Sequence, residues 1–123
     1  HEVDPAQPET LVRALAELLP TGAVQREDAA AWVAFGAAAS TRPWLADPYW
    51  EALQFMRTWV EGVLADARKA GRMRADLSPA EGARLVTALV NGLTLDLLNA
   101  PPTESDEVIG QLRSGLGLIL DGL

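Results

Sequence analysis

Apolar residues recur along this chain at steps of three and four, and nowhere do they alternate with polar ones for long enough to make a strand. Glycine and proline cut the helical pattern into five segments. In the first, Leu11, Val12, Leu15, Leu18 and Leu19 share one side of a helix predicted from Pro8 to Leu19, which Pro20 ends. The Thr21-Gly22 turn leads to a second helix, Val24 to Ser40, with Asp28, Trp32, Phe35 and Ala39 on one face and alanine filling the rest. Asp47 as N-cap and Pro48 in the first turn open a third helix running to Ala70, where Gly71 stops it. Ser78, Pro79 and Glu81 make a capping box at the head of a fourth helix, Pro79 to Asn99. A fifth runs from Glu104 to the end of the chain, entered through Pro101, Pro102 and a Thr103 N-cap. The expected architecture is all-α, an antiparallel bundle of five or six helices. Residues 1–7 read as a linker or cloning remnant, which leaves residues 8–123 as one domain.

The last three helices carry more information than their boundaries. In the third, Leu53, Met56, Val60, Leu64 and Ala67 form a ridge, and Phe55 with Trp59 widen the apolar arc beyond what one neighbour needs, as pocket wall or as plain core. The fourth is apolar almost all round except for Thr87, Asn91 and Thr94, a strip whose partners are a ligand, a facing subunit or ordered water. In the fifth, Ile109, Leu112, Leu116, Ile119 and Leu123 alternate steps of three and four beside Ser114, Gly115 and Gly117. Small residues there point to a close backbone approach, read as a dimer seam in preference to packing within one chain.

Composition narrows the function classes. The 123 residues contain no cysteine and a single histidine, at position 1, which removes disulfides, thiolate chemistry and any histidine-rich metal site. No apolar run reaches the roughly 18 residues of a membrane span, and the start lacks the basic and apolar regions of an export signal, so the expected location is cytoplasmic. A net charge of -7 speaks against direct binding to a phosphate backbone. Arg72 and Arg74 lie beyond the C-terminal end of the third helix, where exposed carbonyls favour cations, so they mark a corner rather than a phosphate site. No serine sits in a nucleophile elbow, and the G-x-G of GLGLILDG lies in a helical segment with no strand before it. The acid pairs Glu27-Asp28 and Asp106-Glu107 are adjacent and diverge. The chain is read as a non-enzyme with no cofactor.

The run GRMRADLSPAEGARLVTALVNGLTLDLL resembles the ligand-binding and dimerisation domain of TetR-family transcriptional repressors. The likeness rests on Gly71, Arg74-Ala75-Asp76, Ser78-Pro79 and Ala88-Leu89-Val90-Asn91-Gly92-Leu93, together with the aromatic pair of AAAWVAFGAAAS upstream. It extends over nearly the whole chain, although the helix-turn-helix module that the family places before this region is absent from it. The resemblance implies a homodimer formed by the last two helices, a small-molecule effector pocket among the others, and contact with DNA only through that N-terminal module.

Placed in that frame, Trp32 and Phe35 oppose Phe55 and Trp59 as aromatic walls, with Asn91 supplying a donor and an acceptor from the side. Asp28 stands at the mouth, favouring a cationic or hydrogen-bond-donating ligand, or is simply a solvated first-turn acid. The ligand expected there is mostly apolar and flat, with one or two polar groups. Leu112, Gly115, Leu116, Ile119 and Leu123 form the expected dimer interface. The rival reading is a helical dimerisation module without a ligand.

Overall fold

A computed structural model describes residues 2–123; His1 and the side chain of Pro102, both used in the sequence reading, lie outside the described residues. It contains five α-helices: α1 (Glu9–Ala16), α2 (Ala23–Ala39), α3 (Pro43–Lys69), α4 (Pro79–Asn99) and α5 (Ser105–Leu116), with a 3-10 turn at Pro102–Glu104. Among the described residues the only extended pairing is an isolated antiparallel bridge between Met73 and Leu120. The fold is all-α.

The long helices α3 and α4 pack along each other, with α2 against both and α5 between α4 and α1. Their shared core joins Leu11, Leu15 and Leu19 to Val60 and Leu64 of α3, Val86 and Val90 of α4, and Leu112 and Leu116 of α5. At eight residues, α1 is too short to persist alone. It is held because Leu11, Val12 and Leu15 are each sealed into that core. The helix stops at Ala16, short of the expected Leu19, and the turn that follows leaves Leu18 45% exposed. Residues 2–7 are folded onto the bundle: Val3 packs against the core, and the Asp4 N–H donates to Thr10 Oγ1 at 2.8 Å.

The third helix departs most from expectation at its start. It begins at Pro43, with Arg42 as N-cap, so Pro43 takes the first-turn position and Pro48 falls inside the helix. An interior proline lacks the N–H for the carbonyl four residues back and costs about 3 kcal/mol. Here that carbonyl belongs to Trp44, a residue 71% exposed. The end is as expected. Gly71 adopts φ 75°, its N–H donates to the Arg68 carbonyl at 3.0 Å, and the Arg72 N–H donates to the Ala67 carbonyl at 2.9 Å. This paired closure of a helix C-terminus needs a left-handed residue, which glycine supplies without strain. The Ser78 cap of α4 also forms, with the Glu81 N–H donating to Ser78 Oγ at 3.1 Å, while the Glu81 carboxylate accepts from the Ser78 hydroxyl at 3.0 Å and not from its backbone N–H as in a full capping box.

The fifth helix is shorter than the apolar repeat suggested. Glu104, not Thr103, is its N-cap and makes no side-chain capping bond, and the helix ends at Leu116 instead of running to Leu123. The tail then folds back beside the α3–α4 connection. There the Arg74 N–H donates to the Ile119 carbonyl at 3.0 Å, and the Asp121 N–H donates to the Arg72 carbonyl at 2.7 Å. Arg74 also forks onto both oxygens of Asp76, at 2.9 and 2.7 Å, which holds that carboxyl below the usual carboxylate range. Arg68 donates to the Arg74 and Leu77 carbonyls. The arginine-rich joint is thus a corner stitched to the tail.

Candidate functional site

Between α2, α3 and α4 the helices part around a cavity of about 270 Å³. Its floor is made of small or buried residues: Ala29 from α2, and Val90 and Thr94 from α4. Asp28 and Trp32, one turn apart on α2, reach it from one side, and Ala52 and Met56 of α3 from another. Glu17 and Leu18, in the turn after α1, complete the rim with Gln25.

One hydrogen bond crosses the cavity wall, from Trp32 Nε1–H to Asn91 Oδ1 at 3.1 Å, and ties α2 to α4. Behind it Tyr49 stacks on Trp32, with ring centroids 4.9 Å apart and planes at 28°. Phe35 meets both rings edge-on, at 6.0 Å from Trp32 and 5.4 Å from Tyr49. Such offset and edge contacts are the favoured aromatic geometries. Gly36 makes room for them, since a Cβ there would lie 3.1 Å from the Tyr49 ring. The polar strip of α4 divides in two. Thr87 and Thr94 return their hydroxyl protons to the Ala83 and Val90 carbonyls, at 3.0 and 2.7 Å, while Asn91 reaches across to α2.

Three of the six expected ligand-binding residues, Asp28, Trp32 and Asn91, therefore line one cavity. Phe35 does not line it; it buttresses Trp32 from behind through the aromatic stack. Phe55 and Trp59 do not oppose Trp32. They are 81% and 44% exposed and border an adjoining groove of about 360 Å³, which shares Glu17, Leu18 and Met56 with the cavity. The core side of α3 is carried by Leu53, Val60, Leu64 and Ala67, and its cavity side by Ala52 and Met56, so the residues that widened its apolar arc point outward. Tyr49 was missed because a helix starting at Pro48 leaves it in the first turn. With the start at Pro43, it joins Leu53, Met56 and Val60 on one ridge. Glu17 carried no signal, and Leu18, expected on the apolar side of the first helix, falls in the turn after it because α1 stops at Ala16.

Among the described residues no group of acids and histidines could hold a metal ion, and no helix is long and apolar enough to cross a membrane. Residues 8–121 match the family described as BetI-type transcriptional repressor, C-terminal. The chain belongs to this family. The resemblance to TetR-family regulatory domains is thereby borne out, and so is the all-helical fold. Among solved structures, the chain is similar to a transcriptional regulator from Rhodococcus sp. Rha1, at 28% identity and a TM-score of 0.79. That likeness covers 98% of this chain and 62% of the regulator, so the chain spans less than two thirds of its length. No curated protein matches.

In this BetI-type domain the expected dimer residues sit elsewhere than on an open face. Leu112 and Leu116 are fully buried and Ile119 is nearly so, all within one chain. Gly115 lies beneath the Leu89 side chain of its own α4, and Leu123, beyond the end of α5, packs against the core. A three-and-four seam fits a neighbouring helix equally well whether that helix is in the same chain or another, and here α1 and α4 take it. The outward side of α4 and the segment after α5 stay uncovered. Leu85 is 53% and Leu118 68% exposed, on either side of a groove of about 350 Å³ that reaches Leu89 and Gly115. Beyond it Gly92 has open space where a Cβ would stand.

Proposed function

We propose that this domain is the effector-sensing and dimerisation core of a TetR-type transcriptional regulator. A small molecule held between α2, α3 and α4 controls DNA binding by an N-terminal helix-turn-helix domain. Two copies pair through the outward side of α4 and α5, around Leu85 and Leu118, and the regulator works in the cytoplasm without catalysing a reaction. Its net charge of -7 suits a core that leaves DNA contact to another module.

The observation that carries this reading is the cavity bridged by the Trp32–Asn91 hydrogen bond. It joins α2 to the helix on whose other side the proposed dimer face lies. A ligand seated there bears on the spacing of α2 and α4. The ligand shifts the regulator toward whichever helix arrangement it binds better, by an amount set by that differential affinity. The lining is mainly apolar with a few polar groups, the usual make-up of a small-molecule site.

A thermal-shift screen of the chain against a small-molecule collection tests the proposal, run beside Ala29→Phe, which fills the cavity from its floor. A ligand at 100 times its Kd stabilises the folded state by about 2.7 kcal/mol. Compounds that stabilise the parent and not Ala29→Phe are expected. Compounds that stabilise both equally, or a collection that stabilises neither, would contradict it.

A further inference from the structure

We infer that the cavity takes an uncharged ligand whose accepting oxygen, of carbonyl type, seats on the side-chain amide of Asn91, an inference that rests on the cavity being the effector site. The Trp32–Asn91 bond is the first ground. An indole N–H can only donate, so the atom of Asn91 that faces it is the oxygen, and chemistry fixes which way the amide points. The NH2 group is what Asn91 has left. It makes no hydrogen bond within the protein. Nor is it sealed in: among the described residues, the one enclosed side-chain nitrogen or oxygen without a partner is Arg57 Nε, on α3. Its two donor hydrogens are therefore open toward the cavity that Asn91 lines.

Depth is the second ground, because it sorts the lining's polar groups by how strongly each discriminates. Glu17, Gln25 and Asp28 are exposed and hold the rim, where water stays within reach whichever ligand is bound. The Gln25 amide offers a donor and an acceptor there alike. Glu17 has an interaction of its own within the protein, so no ligand contact is assigned to it. The less exposed lining residues are Ala29, Trp32, Met56, Val90, Asn91 and Thr94. Among their side chains the Trp32 N–H goes to Asn91 and the Thr94 hydroxyl proton to the Val90 carbonyl, which leaves the Asn91 amide as the unspent donor. A ligand that displaces water from that amide either supplies an acceptor or leaves the donor unpaired at a penalty.

Charge is the third. None of those six deeper residues is ionisable, so a carboxylate or an ammonium carried down to Asn91 would lose hydration without meeting a counter-charge. A carbonyl oxygen accepts a hydrogen bond without bearing a charge. Ala29, Met56 and Val90 beside it suit an apolar body.

Titrations of the chain followed by NMR test this with four probes of nearly one shape: acetophenone, 2-phenylpropene (a CH2 in place of the carbonyl oxygen), benzoate and 1-phenylethylammonium. Acetophenone should move the side-chain amide signals of Asn91 downfield, and 2-phenylpropene should not. At physiological salt acetophenone should bind at least about tenfold more tightly than either ion. Ketone and hydrocarbon differ in their own hydration, so they are compared as a ratio of affinities in the parent and in Asn91→Asp, which keeps an acceptor for Trp32 and replaces the NH2 by an oxygen. That ratio should fall by at least about fivefold, against the ketone. The double variant Trp32→Phe with Asn91→Leu lacks both donors and should show the same fall, which keeps the result readable where a carboxylate at position 91 disturbs the fold. A ratio unchanged in both variants, an ion that binds as tightly as acetophenone, or no binding by any probe would overturn the inference. If the ratio is unchanged and Ala29→Phe abolishes binding of ketone and hydrocarbon alike, the cavity stands as the ligand site and the acceptor assignment alone fails. Acetophenone binding that survives Ala29→Phe would remove both.

Discussion

Gly71 and Asn91 show how differently single residues speak. Gly71 announces itself as the stop of a long apolar helix, and its φ of 75° is the conformation such a stop requires. Nothing lies within 4 Å of where a Cβ would stand, so Gly71→Ala changes backbone strain and little else. It should cost about 1 kcal/mol, a fall of about 4 °C in melting temperature for a domain of this size, read by circular dichroism. Asn91 was legible only as a polar residue needing a partner, and the partner proved to be Trp32 on another helix. Trp32→Phe keeps the aromatic stack but removes the donor. It should destabilise the fold by about 1 kcal/mol, checked by urea unfolding. Phe55 and Trp59 mark the limit of such reading. Aromatic spacing says that a helix has a wide apolar side, not which part of that side the neighbouring helices cover.

At the scale of elements, the Ser78 cap of α4 and the glycine stop of α3 follow from local chemistry that a few adjacent residues complete. The start of α3 does not. Pro43 and Pro48 both satisfy the first-turn rule, and the helix starts at the earlier one. The seam of α5 was legible as a seam but not as to its partner. Leu112 and Leu116 have no exposed surface, so Leu112→Ala and Leu116→Ala should each cost about 2–5 kcal/mol in chemical denaturation, the penalty of a core cavity. A variant that merely dissociated dimers at unchanged monomer stability would place the seam between subunits. Between α1 and α5, Arg113 holds Glu9, and its hydrogen bonds keep the Glu9 carboxyl below its ordinary pKa. A carboxylate with a lowered folded-state pKa stabilises the fold above its unfolded value and loses that contribution as pH falls through the folded one. The melting-temperature difference between parent and Arg113→Gln should therefore be present near neutral pH and vanish in acid below the usual carboxylate range. It should stay small, because the pair is exposed.

For the whole molecule, the helical period, the glycine and proline breaks and the order of the motifs carried the fold and its family. Which surfaces remain open was not legible, since it depends on where α1 and α5 end. Leu85 and Leu118, which the expected interface did not include, hold an uncovered apolar face beside α4. Sedimentation of Leu118→Arg and Leu85→Arg should show folded monomers where the parent is a dimer; variants that remain dimeric would move the pairing surface off α4 and α5. The ligand reading is tested most directly by hydrogen exchange along the chain, with and without a compound that raises the parent's melting temperature. Slowed exchange should centre on residues 25–32 of α2 and 87–94 of α4, which flank the Trp32–Asn91 bond. Slowing confined to the Phe55–Trp59 groove or to α5, with α2 and α4 unchanged, would contradict a sensor built around this cavity.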